Sequence, residues 1–204
     1  GYASGVDAEA LGYAEGMRSF EPTMLYDKEE KVLYTIRRET SSSQAYQRLM
    51  IQKTADTGEL LWGPEGVEMR PNDGSAVAYF DLQFAEDGNV VAFYMVQHDG
   101  VNVSAYAHKF NKETGEAMWL QPLEFTSAEG SRSSLKVSPL VNNEYWIAMW
   151  KDSRRLKGEE DLVMAPSRLY MQRINVDGTL GMETEVELVE DNFDVLVEGR
   201  SIIA

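Results

Sequence analysis

The side chains best suited to acid–base chemistry are 34 aspartates and glutamates and two histidines, His98 and His108. Two carboxylates hydrolyse a glycosidic bond when they are held about 5–5.5 Å or about 6.5–9.5 Å apart. With so many acidic residues, chance pairs are inevitable, and the sequence singles out no pair. A serine nucleophile would need a neighbouring histidine, and no Gly-x-Ser-x-Gly elbow supports such a site. We therefore predict no catalytic residues and favour a protein that is not an enzyme.

Cofactor sites are equally sparse in the sequence. It has no cysteine, which excludes disulfides, zinc ribbons, thiolate catalysis and iron–sulfur clusters. Asp56, Asp87 and Asp177 lie in polar turns and are candidates for Ca²⁺ binding through oxygen ligands. None shows the alternating acidic spacing of a calcium loop, and turn-forming hydrogen bonds are the favoured interpretation. We predict no cofactor, with Ca²⁺ as the alternative left open.

Charge limits the partners. The formal net charge is −15, and such a surface repels polyanions because affinity for phosphate backbones comes mainly from Lys and Arg. We therefore predict no binding to nucleic acid. The longest apolar runs, such as residues 145–150, are too short to cross a bilayer, so no membrane insertion is expected. The partner classes that remain are protein and glycan.

Three segments of the chain repeat one pattern: IQKTADTGELLW (51–62), AHKFNKETGEAMW (107–119) and MQRINVDGTLGM (171–182). Each has a polar residue followed by a base, then a turn glycine, then a large apolar side chain four residues after the glycine. In chain order the polar residues are Gln52, His108 and Gln172, the glycines are Gly58, Gly115 and Gly178, and the apolar residues are Trp62, Trp119 and Met182. Because His108 takes the place of a glutamine, we expect it to make a structural hydrogen bond.

Short apolar runs precede each segment, at residues 31–37, 89–95 and 144–150, and each follows a polar turn. Runs rich in Val, Ile, Tyr, Trp and Phe between such turns favour strands. Each unit therefore reads strand, turn, strand, loop, strand, glycine turn, strand. A period of about 60 residues and four strands is typical of a β-propeller blade. We predict an all-β fold, a propeller-like array of about three four-stranded antiparallel blades.

The first repeat carries a family resemblance. Its run from Gln52 through Gly58 and Trp62 to Val67 resembles the repeats of large exported proteins of Bacteroidetes, many of which end in a type IX secretion sorting domain. Residues 193–204 resemble the first two strands of such a sorting domain. The resemblance implies an extracellular or cell-surface location, with the periplasm as the alternative.

The segments Thr57–Trp62 and Thr114–Trp119 are also similar to the tryptophan-docking motif of quinoprotein (PQQ-type) propellers. That resemblance implies that the glycine turns the chain between the outer strands and that the indole packs between neighbouring blades. Met182 departs from the motif, and the period is longer than in quinoproteins. Packing between blades is therefore favoured over stacking of the indoles on a ring ligand.

The repeat predicts a division into a propeller-like domain over residues 1–190 and a linker or truncated sorting-type domain over 191–204. The units cover about 20–70, 71–126 and 127–190, and residues 1–19 form the tail of a preceding unit. Three blades do not close a ring, since four is the usual minimum. We expect either a longer chain or an oligomer to complete the propeller.

These observations favour a non-catalytic, secreted or cell-surface binding or adhesion module that recognises protein or glycan. One alternative is the propeller of a hydrolase that acts on glycans. Another is an assembly scaffold of the cell envelope, like the quinoprotein-type propeller, which would bind a partner strand at an open sheet edge.

Overall fold

The computed structural model describes residues 17–41, 47–70, 75–98, 100–126, 130–156, 158–159 and 165–189. Regular structure in these ranges consists of β-strands, which confirms the predicted all-β class. A helix that is long and apolar enough to cross a membrane does not occur in them. A helix over residues 7–18, which the glycines at 12 and 16 disfavour, does not form at Met17 and Arg18, where the first strand begins. Residues 7–16, and residues 193–204 with their sorting-type resemblance, fall outside the described residues.

Twelve strands form three separate sheets of four. The first sheet contains β1 (Met17–Asp27), β2 (Val32–Ser41), β3 (Gln47–Ala55) and β4 (Val67–Arg70). The second contains β5 (Ala76–Phe84), β6 (Val90–Gln97), β7 (Val103–Phe110) and β8 (Leu123–Glu124). The third contains β9 (Arg132–Val137), β10 (Tyr145–Asp152), β11 (Arg168–Asn175) and β12 (Val186–Val189). We call these sheets blades 1, 2 and 3.

Each blade is an antiparallel meander in which every strand pairs with the next along the chain. Successive connections therefore lie at opposite ends of the sheet. The connection from the second strand to the third lies at the same end as the connection from one blade to the next, and we call this the loop end. The tight connections after the first and third strands lie at the turn end. β5 contacts both β1 and β9, so the first strands of the blades are innermost.

The burial pattern of a strand depends on whether neighbouring blades cover one face of its sheet or both faces. In β6 of blade 2 every residue from Val90 to Val96 is buried, because blades 1 and 3 cover its two faces. In β10 of blade 3 burial alternates, and Trp146, Ala148 and Trp150 form the buried face. A strand covered on both faces is apolar throughout, whereas a strand covered on one face alternates. The two hydrophobic clusters therefore lie between blades 1 and 2 and between blades 2 and 3.

The glycines of the repeat receive the indoles of the preceding blade. A Cβ atom on Gly115 would lie 2.9 Å from Cδ2 of Trp62 and 2.7 Å from Val67. A Cβ on Gly178 would lie 2.9 Å from Cε2 of Trp119. Both glycines have positive φ, +75° and +81°, a conformation that favours glycine. The absence of a side chain thus allows the turn to form and the indole to lie directly on it.

The order of elements after the glycine differs in detail from the sequence expectation. Trp62 lies in an irregular segment between β3 and β4, not in the outermost strand, and that segment touches β3 through one bridge between Thr54 and Leu60. Equivalent bridges join Phe110 to Ala117 and Ile174 to Leu180. The outermost strand begins only after the indole has been placed, which explains why β4 and β8 are short.

Gly115 and Gly58 form a matched pair for testing this contact. Gly58 has a φ of +92°, but a Cβ there meets nothing within 4 Å. We expect Gly58→Ala to lose about 1–2 kcal/mol of unfolding free energy from backbone strain alone. Gly115→Ala should lose about 1–3 kcal/mol more, because Trp62 must move. Urea denaturation of both variants measures the difference, and equal losses would contradict indole docking.

Candidate functional site

The polar residues of the repeat fasten the segment that carries the indole. Nε2 of Gln52 donates to the carbonyl of Gly63 at 2.8 Å, and its Oε1 accepts the backbone N–H groups of Lys53 and Trp62. Nε2 of Gln172 donates to the carbonyl of Met182 at 3.2 Å. These side chains bond to protein backbone and leave no amide atom for chemistry.

The two histidines lie in blade 2. His108 is buried on β7, and its Nε2 lies 3.1 Å from the carbonyl oxygen of Trp119. His98 is exposed directly after β6, and its Nε2 lies 3.1 Å from the hydroxyl of Tyr106. No serine hydroxyl takes part in either of these two contacts.

The three aspartates considered for Ca²⁺ lie in three separate turns: Asp56 after β3, Asp87 after β5 and Asp177 after β11. The Asp87 carboxylate accepts the backbone N–H of Asn89 at 3.1 Å and pairs with Lys109 at 2.6 Å. Although burial opposes the shift, these bonds hold the pKa of Asp87 below its usual value. Asp177 accepts both the backbone N–H and the hydroxyl of Thr179, which lowers its pKa. Within the described ranges no group of three or more potential metal ligands comes together.

Two fully buried carboxylates, Glu39 and Asp152, lie near the loop end of blades 1 and 3. They occupy the same repeat position, four residues after the residue paired with Gln52 or Gln172. Glu39 accepts hydrogen bonds from Nε of Arg37 and Nε of Arg48, both at 2.9 Å.

Asp152 accepts from Nε of Arg132 at 2.8 Å and from the indole of Trp150 at 3.3 Å, and it also pairs with Arg154. Arg132 in turn donates to the carbonyl of Val103 in blade 2. Several charge-assisted bonds compensate the buried charge of each carboxylate, and Arg132 links Asp152 of blade 3 to blade 2.

Asp81 lies on β5, the innermost strand of blade 2. Among the described residues, it is the carboxylate on an innermost strand whose pKa is raised. Its Oδ1 accepts the backbone N–H of Leu82 at 2.8 Å, and it also bonds to the backbone of Val137 on β9. Burial nevertheless outweighs these bonds and raises the pKa of Asp81. The equivalent Thr23 of blade 1 donates to the carbonyl of Phe80, so this position links the innermost strands of adjacent blades.

Sequence reasoning missed Asp81, Glu39 and Asp152. Asp81 interrupts the apolar run AVAYFDLQF, and an acid inside such a run is the signal that could have found it. Glu39 and Asp152 share a repeat position that becomes recognisable once the β2–β3 and β10–β11 registers are known. Blade 2 has Val96 there, which hides the pattern in a three-way alignment.

No protein-family model matches the chain, and neither does any curated protein. Among solved structures, it is similar to an endo-arabinase from Bacteroides thetaiotaomicron, with 12% identity, a TM-score of 0.52, and coverage of 91% of this chain and 66% of that one. It is also similar to the native arabinanase of Bacillus subtilis, with 13% identity, a TM-score of 0.50, and coverage of 86% and 60%. A GH43 endo-arabinanase from Bacillus licheniformis has 13% identity, a TM-score of 0.49, and coverage of 85% and 60%.

The first two similarities show the fold: the three sheets are blades of a β-propeller, as predicted. The chain spans 60–66% of the length of these structures.

The expectation of a non-catalytic binding or adhesion module is wrong on these comparisons, because the two solved structures that show the fold are named as an endo-arabinase and an arabinanase. That expectation rested on the absence of a local catalytic motif. Glycoside hydrolysis needs two carboxylates brought together by the fold from distant positions, so it leaves no contiguous motif in the sequence.

The buried carboxylate Glu39 provides a test of the ion-pair cluster. Glu39→Gln should lower the free energy of unfolding by about 3–5 kcal/mol, because it removes the buried negative charge that accepts from both Arg37 and Arg48. The other carboxylates that pair with Arg48, Glu65 and Glu68, are more exposed than Glu39. Glu29→Gln is the control, since Glu29 pairs with Lys28 and both side chains are 83% exposed. A loss of less than about 0.5 kcal/mol is expected there. Urea titration of both variants measures the contrast, and a similarly small loss for both would refute it.

Proposed function

We propose that the chain forms part of a propeller hydrolase that acts on glycans, and that Asp81 is its general acid. The observation that carries the proposal is the raised pKa of a carboxyl on the innermost strand β5, where the blades of a propeller converge. The names of the structures that share the fold support glycan hydrolysis as the reaction class.

A glycosidase needs one carboxyl group that is protonated near neutral pH, so that it can give its proton to the leaving oxygen. Burial raises the pKa of Asp81 in the direction that this role requires. The reaction also needs a second, ionised carboxylate, about 5–5.5 Å or about 6.5–9.5 Å from the first, which would come from another strand that faces the same axis. Lys136, on the adjacent innermost strand, partly offsets the effect of burial on the pKa of Asp81.

Asp81→Asn tests this role through activity. We expect the release of reducing ends from arabinan or another plant or bacterial glycan to fall by about 10²- to 10⁴-fold in kcat, because the amide donates no proton. Asp177→Asn is the matched control: Asp177 lies in an exposed turn of blade 3, and its removal should leave kcat unchanged. Unchanged kcat in Asp81→Asn, or no wild-type hydrolysis across a broad glycan panel, would refute the proposal.

Measuring kcat and folding stability as functions of pH distinguishes a general acid from a carboxyl group with only a structural role. The general acid is active while protonated, so wild-type kcat should decrease as the pH rises through the raised pKa of Asp81. Burial disfavours the ionised form of Asp81 in the folded state. Folding stability should therefore also decline as the pH rises from the ordinary pKa of an aspartate to the raised pKa of Asp81. In Asp81→Asn the stability decline should disappear. A stability decline without any alkaline limb in kcat would identify Asp81 as structural only.

The resemblance of the repeats to exported Bacteroidetes proteins supports a further part of this proposal, namely that the hydrolase works outside the cytoplasm or at the cell surface. The tryptophan-docking motif supports a structural role for the indoles and adds no PQQ chemistry. The partner in this proposal is the glycan substrate, and the reaction requires no cofactor, since two carboxylates suffice. Cell fractionation of the source organism, with an antibody against the chain, tests the location.

A further inference from the structure

The innermost strand of each blade is interrupted by a β-bulge at the same repeat position. In blade 2 the pairing of β5 with β6 shifts between Ala78 and Phe80, which makes Tyr79 the extra residue. The pairing of β9 with β10 shifts at the equivalent position of blade 3, where Ser134 lies, and β1 shifts there in blade 1. A bulge redirects a side chain out of the regular alternation of a strand, and bulges are frequent beside active sites.

The backbone of Tyr79 is strained. Its φ is +48°, a conformation in which the Cβ atom of a bulky residue crowds the neighbouring carbonyl oxygen. Among the described residues, five non-glycine residues have a positive φ, and three of them lie in turns. Tyr79 and Ser134 are the two inside strands, and glycine would remove the strain at either position. A large side chain kept at such a position indicates a function for the side chain itself.

The ring of Tyr79 takes no part in the packing between blades. Tyr79 is 47% exposed and belongs to neither hydrophobic cluster. Its neighbours on β5 take part in both interfaces: Phe80 packs against the cluster between blades 1 and 2, and Asp81 bonds to the backbone of Val137 in blade 3. β5 is an edge strand of its sheet and contacts both β1 and β9. The exposed ring of Tyr79 is therefore displayed on the axis side of the array.

Tyr79 precedes Asp81 by two residues, so their Cα atoms lie within about 7 Å of each other. The aromatic ring and the carboxyl group thus share one short stretch of the innermost strand. A sugar ring has an apolar face of C–H bonds, which packs on an aromatic face because that face carries partial negative charge. The phenol hydroxyl both donates to and accepts from sugar hydroxyls. Tyr79 therefore combines an apolar and a polar contact suited to one sugar unit.

We propose that Tyr79 stacks on one sugar ring of the glycan and holds it beside the bond that Asp81 protonates, a role that rests on the proposed function and specifies its substrate. The substrate is a neutral glycan chain, since the net charge of −15 repels chains rich in uronic acids or sulfate. Tyr79 makes the same stacking contact with the bound substrate and with the transition state. It therefore contributes to substrate binding and not to the chemical step.

Tyr79→Gly in the complete 204-residue chain tests this role, because it should weaken substrate binding without weakening the fold. The variant loses the ring, so its KM and its dissociation constant for a neutral glycan should rise about tenfold or more, with little change in kcat. It also loses the backbone strain, so its urea midpoint should not fall. Tyr79→Phe keeps the ring and should bind nearly as tightly as the wild type. Affinity electrophoresis in gels containing arabinan, xylan or polygalacturonate measures binding without turnover, and reducing-end release gives KM and kcat.

Ser134→Gly is the matched control: it relieves the same strain at the equivalent bulge of blade 3 but removes no ring, so glycan binding should stay unchanged. The proposal is overturned if no neutral glycan binds the wild type, if Tyr79→Gly binds like the wild type, or if its urea midpoint falls well below that of Ser134→Gly. Equally tight binding of polygalacturonate would overturn the neutral substrate. Lost binding in Tyr79→Gly with unchanged kcat in Asp81→Asn would refute the acid and retain the stacking residue, and the reverse pattern would refute the stacking residue alone.

Discussion

The contact of an indole with a bare glycine turn sets the geometry of the whole array. Trp62 lies on Gly115, and Trp119 lies on Gly178, so each contact joins one blade to the next at the same place. A side chain on either glycine would occupy the volume of the ring. Because the indole follows its own glycine by four residues, blade 2 both receives the ring of Trp62 and supplies the ring of Trp119. Both contacts lie beside the two hydrophobic clusters, since Trp62 belongs to the cluster between blades 1 and 2 and Trp119 packs against the cluster between blades 2 and 3.

The three blades share this arrangement but differ in whether they bury a carboxylate. Blades 1 and 3 bury a carboxylate near the loop end, Glu39 and Asp152, and surround it with arginines. Blade 2 is covered on both faces and has Val96 at the same position. Lys53 of blade 1 reaches the carbonyl of Lys112 in the turn of blade 2, which adds a polar link at the opposite end. Apolar packing thus forms the centre of each interface, and charge-assisted bonds join blades 1 and 2 at the turn end and blades 2 and 3 at the loop end.

The fold could be predicted from the sequence because the strand signals and turn glycines agree in three copies. The runs at 31–37, 89–95 and 144–150 correspond to β2, β6 and β10. What the sequence could not supply was distance between strands far apart in the chain. The contact of Asp81 with the backbone of Val137 and the placement of Glu39 between two arginines depend on register and on blade packing. The functional expectation was wrong for the same reason, since it searched for chemistry within short motifs.

Gly58 adopts the same left-handed turn as its two counterparts, although none of the described residues would touch a Cβ atom there. The turn of blade 1 thus has the same shape as the two turns on which an indole lies. The sequence of each unit therefore carries the turn that can receive a ring from the unit before it. Duplicating a unit would duplicate that turn as well, so an array of this kind can be lengthened without a new joint.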